Sequence, residues 1–482
     1  MIRPIGFMTG LAFLLAFLLT SYFFKRYPPG KAALYSLLMG MLFLPEQVNF
    51  KLPLFPEFQK YRVENLAILF CVLTRSYLPK VERWWYAVVT LSLVGALGTY
   101  LTNQEVIHSF TVTMVGLNFK DGMYLWLSDL TMSLAAAYIG LRCFQAERDA
   151  TLWIRTLTGA GLIYAVLCLI EIRLSPQIHN WVYRHPAADD FGQSVRWGGY
   201  RPIVFMSHGL ATSLFVLSSV VTAAVLARFH QRIWKLSGNQ AMWFLIIVVI
   251  MCRSTGTWFY MAFAFPMVRW ASPRAMHRLA MVIAVLVCVY PWLRATQVFP
   301  VEWILEQAGK LSADRQQSLQ FRFDNEDVLI ARAMQKAWFG WSSSYGRNML
   351  YDQYGKLATT TDGGWIIALG SGGLVGLTTY LCIPVVSIFL TAKRAKRIRD
   401  PRHRVMIGAL NLYLAIMWLD ILPNGTFTLL PFFLGGALCS MSKTLGQLRV
   451  EPAGVTDKPP KQRLVSVRPR SPGDAIRPVE ST

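Results

Sequence analysis

Long apolar runs fill this chain, and polar residues gather in the gaps between them. The runs fall at about 5–24, 31–46, 65–79, 84–102, 122–141, 152–172, 205–228, 239–252, 257–271, 276–294, 363–391, 405–422 and 425–443. Many approach the roughly 17–25 residues an α-helix needs to cross a bilayer. The pattern predicts an all-α fold, a polytopic transmembrane helical bundle of about 12 or 13 spans. One long polar segment, 294–362, interrupts it. Within that segment apolar residues recur at helical spacing through Val301, Ile304 and Leu305 and again through Val328, Leu329 and Ala333, so two short helices are expected. Arg315, Arg322, Asp324, Glu326, Asp327 and Arg332 sit between and around them. The chain thus reads as a transmembrane part (1–294), a partly helical loop (295–362), C-terminal transmembrane helices (363–446) and a tail (447–482). The tail loses apolar periodicity and is expected to be disordered. Its basic residues suit anionic lipid headgroups, at roughly 1 kcal/mol each near the surface.

Composition supports the membrane reading. Of 482 residues 54% are hydrophobic and 15% charged, where a soluble protein carries roughly a quarter charged. Mean hydropathy is +0.38. The excess of 48 Lys+Arg over 26 Asp+Glu raises nucleic acid as a partner. Instead the basic residues cluster in alternate short loops, as the positive-inside rule expects, and no nucleic-acid partner is inferred. Lys25/Arg26/Lys31, Arg75/Lys80/Arg83, Arg142/Arg148/Arg155, Arg228/Arg232/Lys235, Arg269/Arg274/Arg278 and 393–404 fall on one side, expected to be cytoplasmic. The loops 103–121, 173–204, 253–256, 295–362 and 423–425 then lie outside, and the C-terminus inside. The first apolar run follows Arg3, lacks a small-residue cleavage signal and is expected to be a retained helix. The seven cysteines form no CxxC pair and suggest neither a disulfide framework nor a zinc site.

Two outside loops carry unusual charge. The first, FGQSVRWGGYRPIVFMSHGLATSLF, places Arg196 and Arg201 ahead of a span and His208 one to two turns into it. Gly198-Gly199 and Pro202 set the backbone there. Arginine at a membrane edge snorkels to headgroups or points into a cavity to bind an anion. His208 is either a packed, hydrogen-bonded residue or a base. The second loop, CRSTGTW, holds Arg253 so near hydrocarbon that it costs several kcal/mol unless paired or wet. Asp129, Glu171 and Asp420 are its candidate structural partners. Arg201, Arg253 and the Arg315/Arg322 pair are expected to converge on one outer cavity. The guanidinium fork suits phosphate oxygens. A polyprenyl diphosphate-linked sugar fits, with its diphosphate at headgroup depth and its tail in the bilayer. Neutralising the leaving diphosphate is then the catalytic term, and the argument needs no metal or cofactor.

These residues resemble the bacterial O-antigen ligase / O-antigen polymerase superfamily over roughly residues 190–445. The likeness rests on RP…F…H…LA (201–211), the RSTGTW turn, an Arg-to-FGW pattern (322–341) and DGGWIIALGSGGLVGL (362–377). It implies a metal-independent, inverting GT-C type glycosyltransferase. Such an enzyme moves a glycan from undecaprenyl diphosphate onto an acceptor sugar at the periplasmic face of the bacterial inner membrane. Family arginines match Arg201, Arg253 and Arg322. Ligases commonly carry a His ahead of the G-x-x-G turn, proposed to activate the acceptor hydroxyl. Here Asp362-Gly363 stands at that point. Asp362 can serve as general base or cap the helix that follows. Arg315, Arg196, His208 and Trp341 are expected to contact substrate, and Trp338 and Tyr345 to stack on sugar rings unless the aromatic run is loop core. The expected partners are the lipid-linked glycan, an acceptor glycan or glycolipid, membrane lipids and other polysaccharide-synthesis proteins. Competing readings are a lipid-linked oligosaccharide flippase or exporter, and a non-catalytic component of a synthesis complex. The absence of internal repeats and the charge gathered on one face disfavour transport.

Overall fold

Where they fall on described residues, all of the expected spans but the one at 122–141 coincide with a single helix in the structure, a computed structural model describing residues 6–50, 55–75, 81–188, 191–360, 362–425 and 429–447. The side chains of Leu311, Asp314 and Arg315 are not among those described. In chain order the helices are α1 (Phe7–Arg26), α2 (Pro29–Phe43), α3 (Lys60–Leu73), α4 (Arg83–Leu101), α5 (Phe119–Asp129), α6 (Ala135–Cys143), α7 (Asp149–Leu174) and α8 (Ile178–Tyr183). Then follow α9 (Gly209–Arg228), α10 (Gly238–Met251), α11 (Thr255–Trp270), α12 (Pro273–Ala295), α13 (Val301–Leu311), α14 (Ala313–Met334), α15 (Gly364–Ala395), α16 (Pro401–Leu419) and α17 (Leu430–Gln447). Among the described residues six, namely α1, α4, α7, α9, α12 and α15, are long and apolar enough to cross a bilayer. This is an all-α polytopic bundle. It forms one compact unit, Met1–Leu448. The second unit, Arg449–Thr482, and with it the expectation of a disordered tail, lies outside the described residues.

Local signals explain where helices begin. Ser237 and Gln240 bond each other's backbone N–H as a capping box at α10, and Asn118 and Asp121 do so at α5. Asp400 caps α16 with Pro401 at the first helical position. Where the pattern misleads, the causes are visible. The span expected at 122–141 is not one α-helix, because Leu130–Leu134 forms a π-helical turn between α5 and α6. The loop's second helix is 22 residues long, not short. The loop 103–121 carries a small hairpin, Ile107–Ser109 with Val112–Met114.

The core is built on α9, buried on all sides against α7, α10, α11 and α16. Its small polar residues allow this closeness. Ser219 Oγ donates to the Leu157 carbonyl at 2.9 Å, and Thr158 Oγ1 donates to Thr222 Oγ1 at 2.9 Å. Gly140 on α6 and Gly436 on α17 face each other's backbones with no room for a Cβ. In a bilayer such close packing drives helix association, since lipid is as apolar as leucine.

Helix α15 is broken. Gly373 adopts φ 62° and ψ −159° inside it, a conformation open essentially to glycine alone. The break frees carbonyls above and N–H groups below, which the Ala337–Ser342 stretch satisfies. Trp341 and Ser342 donate to the Gly370 and Ser371 carbonyls at 2.9 and 2.8 Å, while Leu374 and Val375 donate to the Ala337 and Trp338 carbonyls at 2.7 and 3.1 Å. An aromatic stretch of the long loop is thereby laced into an apolar helix. Irregular backbone is tolerated at such depth only where protein or a cavity receives it. The loop is tied down further by Arg347, fully buried, whose guanidinium donates to the Glu105 and Val115 carbonyls and to Glu105 Oε1, all at 2.9 Å. Residue 105 therefore lies at the same end of the bundle as the long loop.

Candidate functional site

Near the end of α7, Glu171 is buried and accepts three backbone N–H bonds, from Ile178 at 3.1 Å, Ile203 at 2.8 Å and Val204 at 2.7 Å. Val204 has φ 57°, an outlier for a β-branched residue. The carboxylate holds that strained turn and so fixes the chain leading into α9. Just upstream, Val195–Arg196 pairs with Gly199–Tyr200 as a two-residue hairpin whose turn residues, Trp197 and Gly198, both have positive φ.

Two arginines lock this hairpin to the bundle. Arg253, itself at φ 53° beyond α10, donates from Nη1 to the Arg196 and Trp197 carbonyls at 2.5 and 2.8 Å. Gly199 lies under its guanidinium, where a Cβ would collide. Arg201 is buried and donates from Nη2 to the Arg253 carbonyl at 3.3 Å. Its Nε is buried without a partner. No carboxylate pairs with Arg196, Arg201 or Arg253 among the described residues. The neighbouring Asp189 and Asp190 lie outside them. Burial and the adjacent Arg196 charge push the Arg201 guanidinium down to about 10.

His208 caps α9. Its Nδ1 accepts from the Leu210 N–H at 3.1 Å, which leaves Nε2 to donate to Gln193 Oε1 at 2.8 Å. Burial, then the charges of Arg201 and Arg196, lower it to about 4. His208 is therefore a neutral, satisfied cap rather than a base poised near pH 7. Because its pKa falls from 6.5 to about 4 on folding, the native state binds fewer protons than the unfolded chain between those values. Its contribution to stability is full above pH 6.5 and is lost as pH falls toward 4. His208→Asn keeps a cap but removes this proton site. Its melting temperature is expected to drop less than that of the wild type between pH 6.5 and 4; parallel curves would contradict the assignment.

A second basic centre lies on α14. Arg322 Nε stands 3.5 Å from Asp362 Oδ2, with both side chains about two-fifths exposed (39% and 42%). They share a small opening with Phe321, Asn325, Ile366 and Pro423. Arg322 is near enough for its charge to act on Tyr260 and Asp420, which bond each other at 3.1 Å. The helix is held by Arg294, buried at the end of α12, which pairs with Glu326 at 3.0 Å and Asp327 at 2.8 Å.

The structure thus brings Arg196, Arg201, Arg253 and His208 together and places Arg322 with Asp362 in a separate opening. The Arg315 side chain lies outside the described residues. Several expectations are corrected. Arg253 takes carbonyl partners, because Glu171 is consumed by backbone N–H groups, Asp129 bonds Ser92 and Asp420 bonds Tyr260 and Asn424. Asp362 does not cap α15: the cap position is Gly363, and the Gly364 N–H donates to the Ile421 and Asn424 carbonyls. Trp341 is buried loop core, with Nε1 on the Arg332 carbonyl at 2.7 Å and the Arg332 guanidinium 3.5 Å above its ring. Trp338 and Tyr345 are exposed, and Tyr345 Oη donates to Asp121 at 3.0 Å. Sequence reasoning offered Glu171 as an ion-pair partner rather than a backbone anchor, on the signal of an acid deep in an apolar run, and missed the Arg347 anchor. Among the described residues no group of three or more His, Cys, Asp or Glu side chains is placed to hold a metal. No family model matches the chain, and no curated protein matches it.

Proposed function

We propose that this protein is a membrane glycosyltransferase of the O-antigen ligase / polymerase type, moving a glycan from a polyprenyl diphosphate onto an acceptor sugar at the periplasmic face of the inner membrane. The observation that carries it is a buried, uncompensated positive charge: Arg201, with Arg196 and Arg253 beside it and no acidic partner among the described residues. Such charge at a membrane edge costs several kcal/mol unless a ligand supplies the anion. A diphosphate anchored by a lipid tail arrives at the right depth, and guanidinium groups bind its oxygens in pairs. The proposal sets the leaving diphosphate between the two basic centres, so that Arg322, from its separate opening, stabilises the charge developing on it, and Asp362, held at 3.5 Å from Arg322, is the group available to accept an acceptor proton.

Transport is the second reading, favoured by the broken helix α15, a feature of secondary transporters. A binding experiment separates ligand from architecture. Purified protein is melted with undecaprenyl diphosphate and with undecaprenyl monophosphate. The diphosphate is expected to raise the melting temperature more, with the difference removed in Arg201→Gln. Equal shifts from both lipids would remove the diphosphate from the account.

A further inference from the structure

A cleft of about 340 Å³ lies between α4, α5 and α15. That volume falls within the roughly 300–1,000 Å³ of small-molecule sites and is far larger than an ion requires. Its walls are hydroxyl-rich: Ser92, Ser128, Ser133, Ser371 and Thr379 surround the exposed Asp129. Two irregularities in the helix backbones, the π-helical turn and the break at Gly373, open onto it. Ser133 belongs to the π-helical turn, and Gly372 and Gly376 flank the break at Gly373. Single π-turns inside helices recur at functional sites, and the two irregularities on one cleft share a cause if the cleft must stay open.

The hydrogen-bonding inventory defines the ligand class. Asp129 Oδ2 accepts from Ser92 Oγ at 3.1 Å, leaving Oδ1 to accept from a ligand. Ser128 Oγ accepts from Arg62 Nη2 at 2.8 Å, so its own proton is free to donate. A carboxylate among hydroxyls that can both give and take protons matches a polyhydroxylated ligand, and no basic side chain lines the cleft to hold an anion directly. Ile367, in this cleft, adjoins Ile366, which lines the Arg322 opening. The two openings therefore lie against neighbouring faces of the first turns of one helix.

We propose that this cleft is a carbohydrate-binding site in which Asp129 accepts hydrogen bonds from a sugar unit of the glycan. The choice of a lipid-linked glycan as the source of that sugar rests on the transferase reading. Ser343→Cys and Ile367→Cys, each made with Cys288→Ser to remove an exposed native thiol, place a reporter in the cleft. Membranes are treated with a charged methanethiosulfonate, with and without lipid-linked oligosaccharide extracted from producing cells. Labelling of both reporters, slowed by the oligosaccharide, is expected. In Asp129→Asn the concentration giving protection should rise about tenfold, the usual effect of weakening one hydrogen bond to a charged group. No labelling would mean a lipid-filled cleft, and labelling without protection a merely wet one; either overturns the proposal. Protection that persists in a protein showing no glycan transfer would uphold the cleft and overturn the transferase reading alone.

Discussion

Gly373→Ala is expected to deplete folded protein from the membrane and to lower the melting temperature of what remains. The φ 62°, ψ −159° conformation alone costs a non-glycine residue about 1–3 kcal/mol. A Cβ there also strikes the backbone of Trp338 and Phe339, atoms that cannot rotate away as a side chain end can. The four backbone bonds joining the loop to the two halves of α15 depend on this approach, so their loss adds to the strain. Against a total stability of about 5–15 kcal/mol, the sum is large. Fluorescence-detected size exclusion and thermal melting measure it. Wild-type yield with an unchanged melting temperature would mean that the helix break is not held by the loop.

Arg322→Ala is expected to reduce glycan transfer by about 10²–10³-fold, the usual effect of removing one group that stabilises charge in a transition state. Folding should be nearly unaffected, because the partly exposed pair with Asp362 contributes about 0–1 kcal/mol. Arg253→Ala is a less clean test. It too should abolish transfer, but it also releases the hairpin carbonyls of Arg196 and Trp197. Arg322→Ala with normal yield and normal transfer would remove the second basic centre from the mechanism.

The helices were legible because burial in an apolar medium writes itself as composition: the apolar runs became helices, although the run at 122–141 became two, α5 and α6. Irregularities inside the runs were not legible. Nothing in LTMSL distinguishes a π-turn from an α-helix, since both bury the same side chains. Gly373 sits among neighbouring glycines, and only the inserted Ala337–Ser342 stretch determines where the break falls. The grouping of Arg196, Arg201 and Arg253 followed from their shared end of the bundle. Their partners did not, because backbone carbonyls and N–H groups carry no residue-specific signal, and Glu171 and Arg253 both chose them. Trp341 illustrates the same limit: an aromatic in a polar loop reads as a sugar platform until a neighbouring arginine covers it.

The central claim is that the basic end of this bundle receives a lipid diphosphate and releases it. The most direct measurement reconstitutes purified protein in liposomes with a polyprenyl diphosphate-linked oligosaccharide and an acceptor glycan, and follows free polyprenyl diphosphate alongside glycan length. Release of polyprenyl diphosphate with longer or transferred glycan, lost in Arg322→Ala, is the predicted result. Movement of the intact lipid-linked sugar between leaflets, with no polyprenyl diphosphate released, would contradict the account and make the protein a transporter.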